Sequence, residues 1–328
     1  MYGASSEGRE GRKVFTCKDG TVPIFDDPDL KGGIRPWHRA PLLQFVEIRR
    51  QIERKQITED DLCIINTIGS GRFFLEFQLR EIFQEVFTNT YLGERLRKLY
   101  ELGILDQWVL TNDYFVDREK VIGWSIGASG AILLQYGYGR RDIISPEHLV
   151  RQGLQLALRY GALNQIRIQM HRSGHLKQWI WHPVINNTPA YGTSMALAVV
   201  EGPSGDLFFL FERLVQGMDA IGYANRRIGQ LNKMISELSG PIVFKKTYEY
   251  SYTTSTMPYL VWSVGCDSFI PYLLARLNGT PIPYMFLSDE FLHKYGLAQA
   301  FQIIDGQGQR KRVEMPLFQA ATEVGGSG

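Results

Sequence analysis

Cysteine is scarce in this 328-residue chain: Cys17, Cys63 and Cys266 stand singly and far apart. That spacing excludes a disulfide framework and a cysteine-based zinc site, and makes a reducing cytoplasm the expected compartment. Long apolar runs are missing as well. No stretch approaches the roughly 18 residues of a membrane span, and the opening "MYGASSEGREGRK" has no apolar signal-peptide core. A membrane partner is therefore not expected. Nor is there an excess of one charge, since 36 Lys and Arg face 34 Asp and Glu for a net +2. The glycine-rich "GASGAILLQYGYG" lacks the GxxxxGK[ST] pattern, and Gly127 with Gly130 makes only a fragment of a dinucleotide fingerprint. A turn into a short helix is the expected structure there, and no cofactor is expected.

The near-neutral total hides an uneven distribution. Residues 1–55 carry 11 basic against 8 acidic side chains, a balance of +3. Residues 56–130 carry 7 against 12, or −5, and residues 131–328 carry 18 against 14, or +4. Residues 1–36 are punctuated by Gly, Asp and Pro and read as an arm. A basic, helical segment follows with Arg49, Arg50, Arg54 and Lys55, which reads first as a solvated face.

From Thr58 the pattern becomes regular. Thr58 suits an N-cap whose hydroxyl accepts from Asp61 N–H, and Glu59, Asp60 and Asp61 suit the positive end of the helix that follows. Leu62, Ile65 and Ile68 give that helix its buried stripe, and "GSGR" ends it. "FFLEFQLREIF" reads as a second helix with Phe74, Phe77 or Gln78, and Ile82 inward. In "RLRKLYELGILDQWVL", Leu92, Leu96 and Leu99 form the stripe of a third helix. Thr90, Tyr91, Glu94, Arg97, Lys98 and Glu101 fall on its opposite face. Gly103 stands where a left-handed C-cap residue is wanted. Ile104–Leu110 and Gly123–Ile126 then bracket a polar connection as a β-hairpin. Three helices and a hairpin, in that order, make a winged helix-turn-helix with the third helix in the recognition position. Its expected readers of duplex DNA are Thr90, Tyr91, Arg97 and Lys98, with Arg95 at the edge. Arg118 and Lys120 would meet phosphate from the wing, and Arg49 and Arg50 would add positioning contacts.

Residues 140–148 read as a linker. Beyond it, "EHLVRQGLQLALRY" reads as a helix, "QIRIQMH" and "LKQWIWHP" as strands, and "TSMALAVV" with "DLFFLFER" as a hairpin joined by "EGPSG". "NRRIGQLNKMISEL" is a long helix, "IVFKKTYEY" and "PYLVWSV" are strands, "FIPYLLARLNG" a helix and "IPYMFLS" a strand. The expected fold class is α+β: a winged helix followed by an α/β domain with a central sheet. The expected divisions are 1–55 (arm and basic helix), 56–138 (winged helix), 145–318 (α/β domain) and 319–328 (tail).

The ordered set "ITEDDLCIINTIGSGRFFLEFQLREIF", "ERLRKLYELGILDQW" and "GWSIGASGAILL" resembles the replication-relaxation proteins of plasmids and integrative elements. The resemblance implies a winged-helix DNA-binding part and a second part like a restriction-endonuclease-like core. Such a core would need an Asp by one strand and Glu-x-Lys on the next to hold Mg²⁺. Glu212 ends the second strand, but Leu214 follows where Lys is wanted, and the first strand offers only Thr193 and Ser194. His171, His175 and His182 have no companions at metal-ligand spacing. The core is therefore expected to be degenerate, without catalytic or metal residues. The expected function is non-catalytic binding of double-stranded DNA in the replication, transfer or regulation of a mobile element. Replication or conjugation proteins and a second copy of the chain are further candidate partners. Two rivals stay open: a protein-interaction scaffold, which the −5 balance favours, and a metal-dependent nuclease.

Overall fold

A computed structural model describes residues 3–5, 14–35, 42–113, 120–216, 219–246, 250–277, 279 and 282–319. They form a mixed α+β protein with four sheets and two compact units. Asp29–Asn164 make a helical unit; Met1–Pro28 with Gln165–Gly328 make a sheet unit. The division falls inside a helix instead of at 138–145. The stretch read as an arm is shared between the two units.

Two short strands open the chain, β1 (Gly3–Ser5) and β2 (Thr21–Pro23), and pair antiparallel. The helical unit begins with β3 (Lys31–Ile34), α1 (Phe45–Glu53) and α2 (Glu59–Gly71). α2 begins on a reciprocal capping box: Asp61 N–H donates to Thr58 Oγ1 at 3.5 Å, and Thr58 N–H donates to Asp61 Oδ2 at 3.0 Å. Then come β4 (Phe73–Leu75), α3 (Glu76–Phe83), α4 (Asn89–Glu101), β5 (Leu105–Thr111) and β6 (Val121–Ile126).

β4 corrects the expected second helix. Phe73, Phe74 and Leu75 pair with Ser125, Trp124 and Gly123 of β6, so helical geometry starts only at Glu76. The buried residues of α3 are Gln78, Leu79 and Phe83, while Phe77 and Ile82 are half-buried. Gln78 is fully satisfied inside: its Oε1 accepts from Leu75 N–H at 3.0 Å and its Nε2 donates to Gly161 O at 2.8 Å. α4 buries Leu92, Leu96 and Leu99 as its periodicity demands. It ends on a Schellman motif, with Gly103 at φ 67, Gly103 N–H on Tyr100 O and Ile104 N–H on Leu99 O. The chain can therefore turn straight into β5. β5 and β6 form the expected hairpin, in a sheet of order β3-β5-β6-β4.

α5 (Ala128–Ile132) follows β6, and its Gly130 explains the glycine-rich segment by packing. A Cβ there would stand 2.2 Å from Ile104 O. The sequence suggests one helix followed by a strand here; the structure has two helices, α6 (Pro146–Gln152) and α7 (Leu154–Arg172). Gly153, at φ 78, separates the helices. Ile166, Ile168 and Met170 alternate like a strand but lie in α7, where no Gly or Pro follows Gly161 until Gly174, beyond the helix end.

The sheet unit continues with β7 (Leu176–Trp181), β8 (Val184–Ile185), β9 (Ala196–Gly202) and β10 (Gly205–Arg213). α8 (Ala220–Glu237), β11 (Ile242–Lys246), β12 (Tyr250–Thr254) and β13 (Tyr259–Val264) come next. α9 (Phe269–Leu274), β14 (Tyr284–Ser288), α10 (Asp289–Tyr295), β15 (Phe301–Ile304) and β16 (Arg310–Arg312) complete it. The main sheet has the order β16-β15-β14-β13-β10-β9-β7, and β12-β11-β8 form a small second sheet. β7, β9 and β10 run antiparallel in turn, whereas β13 is parallel to β10 and β14 is parallel to β13. Phe208 to Arg213 of β10 are all buried, so both faces of this central strand are covered, as its unbroken apolar run requires.

Residues 14–28 are built into this unit. Gln216 N–H donates to Asp26 Oδ1 at 2.7 Å, and Ser268 Oγ donates to Thr16 O at 2.7 Å. Burial pushes the Asp26 carboxyl from an ordinary 3.8 up to about 7, against the opposing pull of Arg213 and the Gln216 hydrogen bond. Between those values the folded chain keeps a proton that the unfolded chain has released. The stabilisation is complete below the unfolded value and is lost as pH rises through about 7. Wild-type protein is expected to lose more melting temperature than Asp26→Asn between pH 6 and 8. Parallel pH profiles of the two proteins would contradict this.

Candidate nucleic-acid interface

The polar face of α4 divides into two halves with different tasks. One half is turned onto the start of α2. Tyr91 Oη donates to Asp60 Oδ2 at 2.6 Å, which raises the phenol above its ordinary value. Arg95 Nε donates to Asp61 Oδ1 at 2.7 Å, and its Nη2 reaches both Asp61 Oδ2 and Thr58 Oγ1. Lys98 Nζ donates to Gln56 O and lies 3.5 Å from Asp61 Oδ2. Asp61 is fully buried, and the Arg95 side chain is only 16% exposed. The sequence alone suggests Tyr91, Arg95 and Lys98 as DNA contacts; in the fold they fasten α4 to the start of α2. The cause is the capping box itself, which buries a carboxylate that must be neutralised.

The other half faces outward. Asn89, Thr90, Glu94 and Arg97 are exposed, and a Cβ on Gly93 between them would meet nothing within 4 Å. Arg97 Nε donates to Glu101 Oε1 at 3.0 Å, with the Arg97 side chain 81% exposed. A pair one turn apart in water adds only about 0.3–0.5 kcal/mol, so this arginine can change partner at little cost. Thr88 caps the helix by accepting from Tyr91 N–H at 3.2 Å, which fixes the orientation of the outward strip.

The basic end of α1 runs up to α4, because the residue that Lys98 grips, Gln56, follows Lys55 directly. Arg50, Arg54 and Lys55 are exposed and have no carboxylate within ion-pair distance among the described residues. Arg49 is paired with Glu53 at 2.9 Å. On the hairpin, Lys120 is exposed at the foot of β6, and Arg118 lies outside the described residues.

In the sheet unit Glu212 occupies the end of β10, as its pattern requires, yet it is fully buried and enclosed by α8. Arg227 Nε donates to Glu212 Oε1 at 2.7 Å and Tyr223 Oη donates to Oε2 at 2.6 Å. Arg227 also donates to Tyr191 O and, at 2.8 Å, to Ser194 Oγ. Both carboxylate oxygens are thus engaged by a cation and a phenol, an arrangement unlike a metal ligand. The next residue, Arg213, points to the opposite face and makes a bidentate pair with Asp289 at 2.7 and 2.6 Å. His171 and His175 are exposed and His182 is half-buried. No group of three metal-ligating side chains comes together among the described residues. Nor is any helix among them long and apolar enough to cross a membrane.

Compared with protein-family models, with curated proteins and with solved structures, the chain shows no match to any of them.

Proposed function

We propose that the chain binds duplex DNA through a winged helix formed by α2, β4, α3, α4 and the β5–β6 hairpin. α4 would enter the major groove, and the hairpin would act as the wing. One observation carries the reading: α4 is bolted to α2 along one flank while Asn89, Thr90 and Arg97 stay exposed along the other. A rigid helix with outward polar groups suits base-edge recognition. The readers are therefore Thr90 and Arg97, joined by Asn89. Arg50, Arg54, Lys55 and Lys120 contribute phosphate contacts that carry no sequence information.

For the sheet unit we read a restriction-endonuclease-like core without its metal site. The order α7, β7, β9, β10, α8, β13, with β13 parallel to β10, supports that architecture. The saturation of Glu212 by Arg227 and Tyr223 argues against cleavage. On the resemblance to replication-relaxation proteins, the task is replication, transfer or regulation of a mobile element in the cytoplasm. Replication or conjugation proteins and a second copy of the chain are its candidate partners. A docking module for another protein is the second reading, favoured by Glu94 and Glu101 on the outward strip and by Val86, 70% exposed beside it. Fluorescence anisotropy with labelled duplexes at low salt separates the two: saturable binding that falls as salt rises supports DNA, and its absence leaves docking.

A further inference from the structure

A second cluster of cations belongs to the sheet unit and is assembled from three distant parts of the chain. Phe291 and Tyr295, one turn apart on α10, meet edge to face with ring centroids 5.3 Å apart. Lys18 Nζ lies 6.0 Å from the Phe291 centroid, while Lys294 Nζ and Arg312 Cζ lie 5.1 and 4.2 Å from that of Tyr295. Ring faces attract cations, but three like charges over two adjacent rings also repel one another. All three are exposed, and among the described residues none has a carboxylate within ion-pair distance. Their neighbours behave differently: Lys311 pairs with Asp305 at 2.8 Å and Arg310 with Asp267 at 2.9 Å.

Glu290, one turn before Lys294 on α10, is spent on the backbone. It accepts from Lys18 N–H and from Asp267 N–H, each at 3.0 Å, and so holds the Lys18 segment in place. The Tyr295 phenol is held below its ordinary value by a hydrogen bond from Lys294 and the charges of Arg312 and Lys18. Asp19, next to Lys18, is engaged by Thr21 through its N–H at 3.0 Å and its hydroxyl at 2.6 Å, and Glu314 accepts from Gln319 Nε2 at 3.2 Å, so neither nearby carboxylate pairs with the three cations.

We propose that Lys18, Lys294 and Arg312 form a contact site for the phosphodiester backbone of a nucleic-acid strand. The cations are spread over two rings on an open surface, which suits successive phosphates better than one enclosed phosphate. No exposed large apolar residue belongs to α10, β16 or residues 14–19, so the surface has nothing to insert into a lipid bilayer. The site goes beyond the α4 reading and stands or falls separately from it.

The test uses the full chain and the variant Lys18→Ala/Lys294→Ala/Arg312→Ala, titrated over a potassium chloride series. One arm is a labelled oligo(dT) strand and the other is a duplex of unrelated sequence and equal length. Loss of three phosphate contacts lowers the slope of log K against log salt by about 2 for the strand or about 2.7 for the duplex. Whichever arm changes identifies the form of nucleic acid bound. Unchanged slopes in both arms would overturn the proposal. Should the triple variant melt below wild type, Lys18→Ala/Lys294→Ala is read instead, with about two-thirds of the change expected. Arg97→Ala measured alongside keeps this result distinct from the α4 reading, since either set of variants can fail alone.

Discussion

Arg213→Ala is expected to destabilise the protein by about 3–5 kcal/mol, the range for removing one partner of a buried ion pair. Arg213 is fully buried, with Nη1 and Nη2 on the two oxygens of Asp289 and Nη1 also on Ser263 Oγ at 3.0 Å. Its charge also opposes the effect of burial on Asp26, which is 3% exposed. Without the guanidinium, the Asp289 carboxylate stays buried with its bidentate partner gone. It would have to take up a proton, or the strand ends would have to open to water. Arg213→Lys should recover little, because an ammonium cannot make the planar two-point contact. A urea midpoint for Arg213→Ala within error of wild type would contradict this.

The same argument applies to the helical unit on a smaller scale. Arg95→Ala leaves Asp61 fully buried, with only Lys98 at 3.5 Å to offset its charge. A loss near the lower end of the range, about 3 kcal/mol, is expected from denaturant unfolding. An unchanged midpoint would mean that the α2–α4 clasp does not hold α4 in place. It would also remove the reason for excluding Arg95 from the readers.

What could be seen in the sequence was local. Thr58 announces its cap, Gly103 its left-handed turn, and the leucines of α4 their stripe, because each signal lies within a few residues of its effect. The "EGPSG" turn between β9 and β10 is legible for the same reason. What escaped was decided by distant partners. β4 is a strand because β6 lies beside it, some fifty positions later in the chain, and "FFL" alone suits either structure. Residues 14–28 read as an arm because nothing nearby shows that Asp26 and Thr16 bind Gln216 and Ser268.

The candidate site shows the same limit. The donors Tyr91, Arg95 and Lys98 are visible in the sequence, but their acceptors lie at and before the start of another helix. One signal could have helped: an Asp at the third position of a helix behind a capping threonine is turned inward and calls for a cation. Glu212 is similar. Tyr223 and Arg227, four residues apart on α8, present one face to the end of β10 and engage both oxygens of its carboxylate.

The central claim is that the two halves of the α4 polar face do different work, and one pair of variants tests it directly. Thr90→Ala/Arg97→Ala removes the outward groups and should leave the melting temperature unchanged. It should weaken binding to a preferred duplex, where a base-reading arginine typically contributes about 1–3 kcal/mol of discrimination. Lys98→Ala removes part of the clasp and should lower the melting temperature without changing the preference among sequences. The assay is anisotropy at low salt, with preferred and unrelated duplexes selected from a random pool by the wild-type protein. The account predicts that preference collapses in Thr90→Ala/Arg97→Ala and survives in Lys98→Ala. Full preference in a folded Thr90→Ala/Arg97→Ala protein would contradict it.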